Sequence, residues 1–473
     1  MKVFMGSPVC RWLKSGCLFF CLGTELVIAQ SGLLDTTFNP GIAATNGLVE
    51  TVLPQPDGKI LICGNFTQFA GTDRSYICRL NSDGTLDNTF RAGPGYWVRH
   101  MSLQPDGKII IGGFFTTVEG QPRGLIARLS PTGALDTNFL SNPGAIGTLG
   151  VSITGNPDPF VFYTAVQPDG KILITGNFTN YNGVNIYGIA RLNPDGSLDT
   201  SFSVGSGLNT WGRSIQVLTN FSNKILVTGW FDNYRNSSHN RMALINPDGT
   251  PDTSFHPTVF ADKTAVYGAV LLPTGKYIAV GHSENALGLF LQDIVRLNAD
   301  GSVDSSFSPS ANDKVESVRL QADGKILIGG YFSQVNGTPR ASMARLNSDG
   351  TLDTSFNPSA DNYIWTVALQ DDQNILISGG FYHIDGISRN GVARLLPAAA
   401  LQGPQLGNPQ VQGTAFSVML QSISGRSYTL QYKTSLWLTN WNSLPPIAGD
   451  GSVKTLTDSN LNSETRFYRV MQN

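Results

Sequence analysis

Short apolar stretches recur at a fixed beat along most of the chain, separated by polar turns rich in Gly, Asp and Asn. One phrase repeats. A turn ending Asp-Gly-Lys is followed by an apolar stretch, a glycine, a phenylalanine and a second stretch ending Ala-Arg-Leu-Asn. A further Asp-Gly turn then leads to Leu-Asp-x-x-Phe. The first position after the turn is Lys59, Lys108, Lys171, Lys224, Lys276, Lys325 and, in the seventh copy, Asn374. Five residues on stand Gly64, Gly113, Gly176, Gly229, Gly281, Gly330 and Gly379. Two further on comes Phe66, Phe115, Phe178, Phe231, Phe332 or Phe381, with Ser283 breaking the series. Short aliphatic, β-branched stretches bounded by turn residues read as strands. Strict spacing across a hairpin means a fixed register. Each copy supplies about four strands, which is one blade, so the pattern predicts an all-β fold: a seven-bladed β-propeller over residues 33–397.

The seventh copy ends at Arg394-Leu395-Leu396-Pro397 and lacks Leu-Asp-x-x-Phe, while an orphan copy stands at Leu34-Asp35-Thr36-Thr37-Phe38. Seven complete blades result only if this N-terminal strand closes the last blade, which removes two open sheet edges. The hairpin register also sets Arg79 opposite Asp87, Arg128 opposite Asp136, and so on round the ring, an arrangement of opposite charges across strands. The closing blade then requires Arg394 opposite Asp35.

These motifs resemble the delta-60 repeat family of bacterial β-propellers across residues 33–397. The resemblance implies a propeller of unassigned biochemical role. The fourth copy departs most, with Ser222-Asn223 in place of Asp-Gly and Leu244 in place of the arginine, which puts its local turn in doubt.

Residues 1–29 read as an export signal: Lys2, Arg11 and Lys14 precede an apolar stretch, and Val27 and Ala29 are small residues at the cleavage positions. Export implies a secreted or envelope-exposed protein. No later segment is apolar and long enough for a transmembrane helix. The formal net charge is −2 and no basic run is present, which argues against a nucleic acid partner. Residues 402–473 show alternating patches, Phe416–Leu420 and Phe467–Val470 among them, expected to form a small β-sandwich. Its Thr-Ser-Leu…Asn-Trp…Phe-Tyr-Arg-Val pattern resembles C-terminal modules of exported bacterial proteins, and the resemblance implies a role in cell-surface attachment or secretion.

Thirteen repeated phenylalanines are expected in the core rather than on a binding face. The Asn-x-Asp-Gly turns offer too few oxygens for calcium and read as β-turns. Cys63 and Cys78 flank one hairpin, which leaves open a cross-strand disulfide or two buried thiols. No nucleophile, metal or phosphate motif is present, so no cofactor is expected.

One position varies in chemistry while its neighbours keep their character. Nine residues before each turn anchor stand Glu50, Arg99, Phe162, Ile215, Tyr267, Glu316 and Trp365, on the strand expected to face the central channel. Of these, Glu50, Arg99, Phe162, Tyr267, Glu316 and Trp365 are the candidate ligand-reading ring; the alternative is drift at a solvent-exposed strand end. A long insertion, about 142–159, lies on one face. The leading expectation is a binding or scaffold propeller for a glycan or protein. A metal-dependent hydrolase or lactonase-like enzyme using Glu50 and Glu316, and a purely structural surface protein, are the alternatives.

Overall fold

In the computed structural model the described residues are 32–41, 44–140, 144–146, 159–257, 264–283, 293–397, 406–422, 427–435, 440–450, 452–460 and 466–472. The leader expected at 1–29 falls outside them. Residues 32–397 form one compact unit, and residues 398–473 belong to another.

Each repeat in the first unit folds as a three-stranded antiparallel sheet; blade 1 is Val49–Pro54, Ile60–Gly64 and Ile77–Leu80. The fourth strand expected in each blade is reduced to a single bridge: Leu80↔Leu86, Leu129↔Leu135, Leu192↔Leu198, Ile245↔Pro251, Leu297↔Val303 and Leu346↔Leu352. In blade 7 the bridge is Leu34↔Leu395, so the N-terminal segment supplies it. The seven inner strands contact one another in a cycle, with that of blade 7 packed against that of blade 1. The ring is a closed seven-bladed propeller. Among the described residues no helix is long and apolar enough to cross a membrane.

Packing between blades is apolar. All thirteen repeated phenylalanines are buried, from Phe38 and Phe66 to Phe356 and Phe381. Over six of the seven Leu-Asp-x-x-Phe rings lies the arginine of the same blade, at 4.9 Å for Arg79 on Phe90 and 4.8 Å for Arg394 on Phe38. The same arginine donates to the aspartate: Arg79 to Asp87 at 2.8 Å, Arg191 to Asp199 at 2.7 Å, and Arg394 to Asp35 across the seam at 2.8 Å. In blades 1 to 6 the turn lysine donates to the same carboxylate, as Lys59 does to Asp87 at 2.8 Å, whereas blade 7 has Asn374 in that slot. The guanidinium then reaches the next blade's turn: Arg79 donates to the Pro131 carbonyl and Arg394 to the Ser82 carbonyl. Each triad therefore closes a hairpin and staples two blades. Blade 4, with Leu244, keeps only Lys224 on Asp252.

The glycine five residues past each anchor has a steric cause. It faces the start of the inner strand so closely that a Cβ on Gly64 would lie 2.0 Å from the Leu48 carbonyl oxygen, and one on Gly113 would lie 2.2 Å from that of Trp97. No other residue fits without moving backbone.

Cys63 and Cys78 are both free and buried, so no disulfide forms. Their strands are one step out of register for it: Cys63 pairs with Ile77 and Cys78 with Ile62. The two side chains consequently point to opposite faces of the blade, into different core clusters.

The described part of the second unit holds two sheets. One joins Leu406–Gln412, Ala415–Gln421 and Val453–Asp458; the other is centred on Ser427–Lys433, paired with Phe467–Gln472. Phe416, Leu420, Tyr428 and Leu456 lie in its core.

Candidate functional site: the channel plug and its aromatic mouth

Every inner strand carries a β-bulge at the same place. In blade 1 Val49 pairs with Gly64 and Thr51 with Cys63, leaving Glu50 as the extra residue. The corresponding residues are Arg99, Phe162, Arg213, Tyr267, Glu316 and Trp365. A bulge re-aims the side chain it carries. The repeated glycine is what lets the bulged backbone come close, so glycine, bulge and inward side chain form one device.

The fourth member of this ring is Arg213 and not Ile215. The turn of blade 4, Thr219 to Asn223, is two residues longer than its counterparts, so a count back from Lys224 lands two residues too late. Ile215 is buried in the apolar core instead.

These seven side chains meet on the axis. Arg99 donates to Glu50, and Arg213 reaches across to Glu316. The Arg99 guanidinium lies 4.2 Å from the Phe162 ring centre and 4.6 Å from that of Trp365. That of Arg213 lies 3.7 Å from Tyr267. Glu50 is 1% exposed and Arg99 7%, so this pair is no solvated strand end, while Phe162 and Trp365 are partly exposed. The ring is a plug: two ion pairs wedged among three aromatic rings. Burial pushes the Glu50 carboxyl up, against the pull of Arg99 and the indole N–H of Trp97. Both carboxylates are engaged by guanidinium groups, which removes them as a paired metal site, and no cluster of metal-ligating side chains occurs among the described residues.

On the side where the inner strands begin, the plug is ringed by aromatic residues that spacing did not flag. Trp97 stacks on Phe114 at 4.6 Å, Phe114 meets Phe160 at 4.9 Å, and Phe160 meets Trp211 edge-on at 5.4 Å. Trp211 continues to Trp230 at 5.7 Å. From blades 6 and 7, Tyr331 stacks on Tyr363 at 4.4 Å, which leads to Trp365 at 5.9 Å. These outer rings are partly exposed. The indole N–H groups of Trp230 and Trp365 have no acceptor among the described residues. Two slots generate the crown: two residues before the bulge (Trp97, Phe160, Trp211, Tyr363) and one after the glycine (Phe114, Trp230, Tyr331). Comparing those slots between repeats would have revealed it. Of the 142–159 insertion, only residues 144–146 and 159 are described.

On the other side of the plug, toward the Asp-Gly-Lys turns, the channel widens into a cavity of about 620 Å³. Its wall includes His100, stacked on Tyr163 at 3.5 Å with its Nδ1 at 3.2 Å from the Thr164 hydroxyl. Burial, aided by Arg99 and Arg319, pushes the His100 pKa well down, so the ring is neutral at pH 7.

The family described as a domain of unknown function (DUF5122), beta-propeller, matches seven segments: 55–90, 104–139, 167–202, 222–255, 272–307, 321–356 and 370–398. The chain belongs to the DUF5122 β-propeller family. Six of the matched segments of this DUF5122 propeller start at the turn and run to Leu-Asp-x-x-Phe, and the seventh ends at residue 398. They leave out the inner strands with the plug and with Trp97, Phe160, Trp211 and Tyr363 of the crown, and include Phe114, Trp230 and Tyr331. No match is found among curated proteins. Among solved structures, the DUF5122 propeller is similar to the WD40 propeller domain of Doa1 at 14% identity and a TM-score of 0.47, covering 75% of this chain and 94% of that one. It is similar to streptogramin B lyase at 14% identity and a TM-score of 0.46, covering 76% and 96%. A third similarity is to PorZ, a surface component of the type-IX secretion system of Porphyromonas gingivalis, at 13% identity and a TM-score of 0.43, covering 89% and 58%.

Proposed function

We propose that this chain is an exported, non-catalytic binding propeller whose ligand is a carbohydrate chain lying across the aromatic mouth. The observation that carries the reading is the arc of partly exposed rings from blades 2, 3, 4, 6 and 7, held by mutual stacking above a plug that blocks the axis. Rigid aromatic faces of this kind bury apolar area at small entropic cost. Sugar rings offer flat C–H faces to stack on them. The same rings would suit a protein ligand, since Trp and Tyr dominate interface hot spots, and that outcome is kept as the second arm of the test. The leader at 1–29 supports a secreted or envelope location, and the unit at 402–473 is the candidate for surface attachment.

The experiment is a fluorescence and calorimetric titration of the full chain with soluble xylan, β-glucan and α-glucan. Saturable quenching by one of them is expected, weakened about two- to tenfold by Trp211→Ala, since one aromatic contact contributes about 0.5–1.5 kcal/mol. Absence of glycan binding, with Trp211-dependent capture of an envelope protein, would transfer the mouth to a protein partner. Binding indifferent to Trp211→Ala would refute the site. N-terminal sequencing of the protein recovered outside the cytoplasm should begin at Gln30.

A further inference from the structure

The cavity beneath the plug is built differently from the mouth above it. Three guanidinium groups line it: Arg99 and Arg213 from the plug, and Arg319 from the inner strand of blade 6. The facing carboxylates are Glu316 and, behind Arg99, Glu50, and each is already paired. Arg319 donates to the Val318 carbonyl of its own strand at 2.8 Å, and no carboxylate of the described residues pairs with it. His100, the histidine in the cavity wall, is neutral at pH 7. The lumen thus holds one positive charge in excess, inside walls of low dielectric that focus its field.

Register places this charge at a definite depth. Arg319 stands three residues past the bulge residue Glu316, level with Ser102 of blade 2 and Gln216 of blade 4. One step further along the inner strands lies a partly buried aliphatic collar of Leu103, Val166, Val217 and Leu369 at the turn end of the cavity. An entrant from that face passes an apolar ring before it meets the guanidinium. The volume is within the range of small-molecule sites.

We infer that this cavity binds a small organic acid, its carboxylate on Arg319 and its apolar body in the aliphatic collar. A planar guanidinium matches a carboxylate in a two-bond fork, and the collar supplies apolar burial that a bare inorganic ion cannot use. The site is separate from the aromatic mouth, with the plug between them.

The test titrates the full chain with sodium benzoate and with benzamide, its neutral counterpart, at constant ionic strength, read by calorimetry and by thermal shift. Benzoate should bind saturably and raise the melting temperature, and benzamide should not. Arg319→Gln should weaken benzoate at least tenfold, while Trp211→Ala, in the mouth, should leave it unchanged. The melting temperature of Arg319→Gln without ligand should stay near that of the parent, because this side chain holds no partner blade. Equal binding of acid and amide, or binding unaffected by Arg319→Gln, would overturn the assignment, as would no binding at all. Inorganic phosphate binding as tightly as benzoate would show an oxyanion site that ignores the collar, and would overturn the organic-acid reading.

Discussion

Replacing Arg99 by methionine tests the plug directly. Arg99→Met keeps an apolar stem between Phe162 and Trp365 but strands the Glu50 carboxylate, 1% exposed, without its counter-ion. Removing one partner of a buried ion pair costs about 3–5 kcal/mol, chiefly because the remaining charge is left unpaired. At a specific unfolding entropy of about 2 cal/mol/K per residue, a propeller of this length should melt about 4–6 °C lower. The double variant Glu50→Gln/Arg99→Met removes the stranded charge and should recover more than half of the loss. The penalty should also depend on pH. Burial raises the folded-state pKa of Glu50, and without Arg99 it rises further. A carboxyl with a raised folded pKa binds more protons folded than unfolded, so the single variant loses stability as pH climbs from about 4 toward that folded value, at about 1.4 kcal/mol per unit. Scanning calorimetry of the full chain at pH 4.5 and pH 8 reads both effects. If the single and double variants melt together, or if the single variant's deficit is the same at the two pH values, the plug is not held by charge pairing and the argument fails.

Gly113→Ala should cost about 3 kcal/mol or prevent folding, since the added Cβ would stand 2.2 Å from the Trp97 carbonyl oxygen. Gly120→Ala, at φ +73 with nothing within 4 Å, should cost only about 1–2 kcal/mol, and paired melting curves compare the two. Arg394→Leu should fold, because Leu244 already occupies the same slot in blade 4. It should cost about 1.5–3 kcal/mol and make the segment around Thr36 a new site of limited proteolysis, which Arg191→Leu in an interior blade should not. The aspartates Asp35, Asp87, Asp136, Asp199, Asp252, Asp304 and Asp353 all have lowered pKa values; burial alone would raise most of them, and hydrogen bonds from Lys, Arg and Ser or Thr outweigh it. Their stabilisation is complete above about pH 4 and is lost as pH falls through the folded values, so the melting temperature should hold from pH 7 to 5 and drop steeply below 4.

The blades, their number and the closing seam were legible because each is written as a spacing within one repeat or one hairpin. Arg394 with Asp35 needed only the rule already set by Arg79 with Asp87. The plug was legible as a variable slot but not as a plug. Glu50 meets Arg99 from the next blade, and Arg213 meets Glu316 two blades away, so these contacts depend on ring geometry that no single repeat encodes. Arg213 itself was hidden by two extra residues in one turn. The crown was missed because its rings alternate between two slots that hold aromatics in some blades and not in others, so neither slot shows a full series. Cys63 and Cys78 looked bridgeable by position, and only the one-step register separates them.

The seam also sets how the ring would yield to a pull. Gly32 donates to the Leu396 carbonyl, Leu396 to that of Leu33, and Asp35 to that of Arg394. These bonds run antiparallel from the point where the chain enters the ring to the point where it leaves. Tension applied through residues 31 and 398 would load them one after another, as a zip is opened from its end, rather than all together in shear. The Asp35–Arg394 clasp is the first strong link such a force would meet, and once it parts the ring is still closed by the inner strands of blades 7 and 1, where the Thr366 and Ser378 hydroxyls donate to the Glu50 carbonyl.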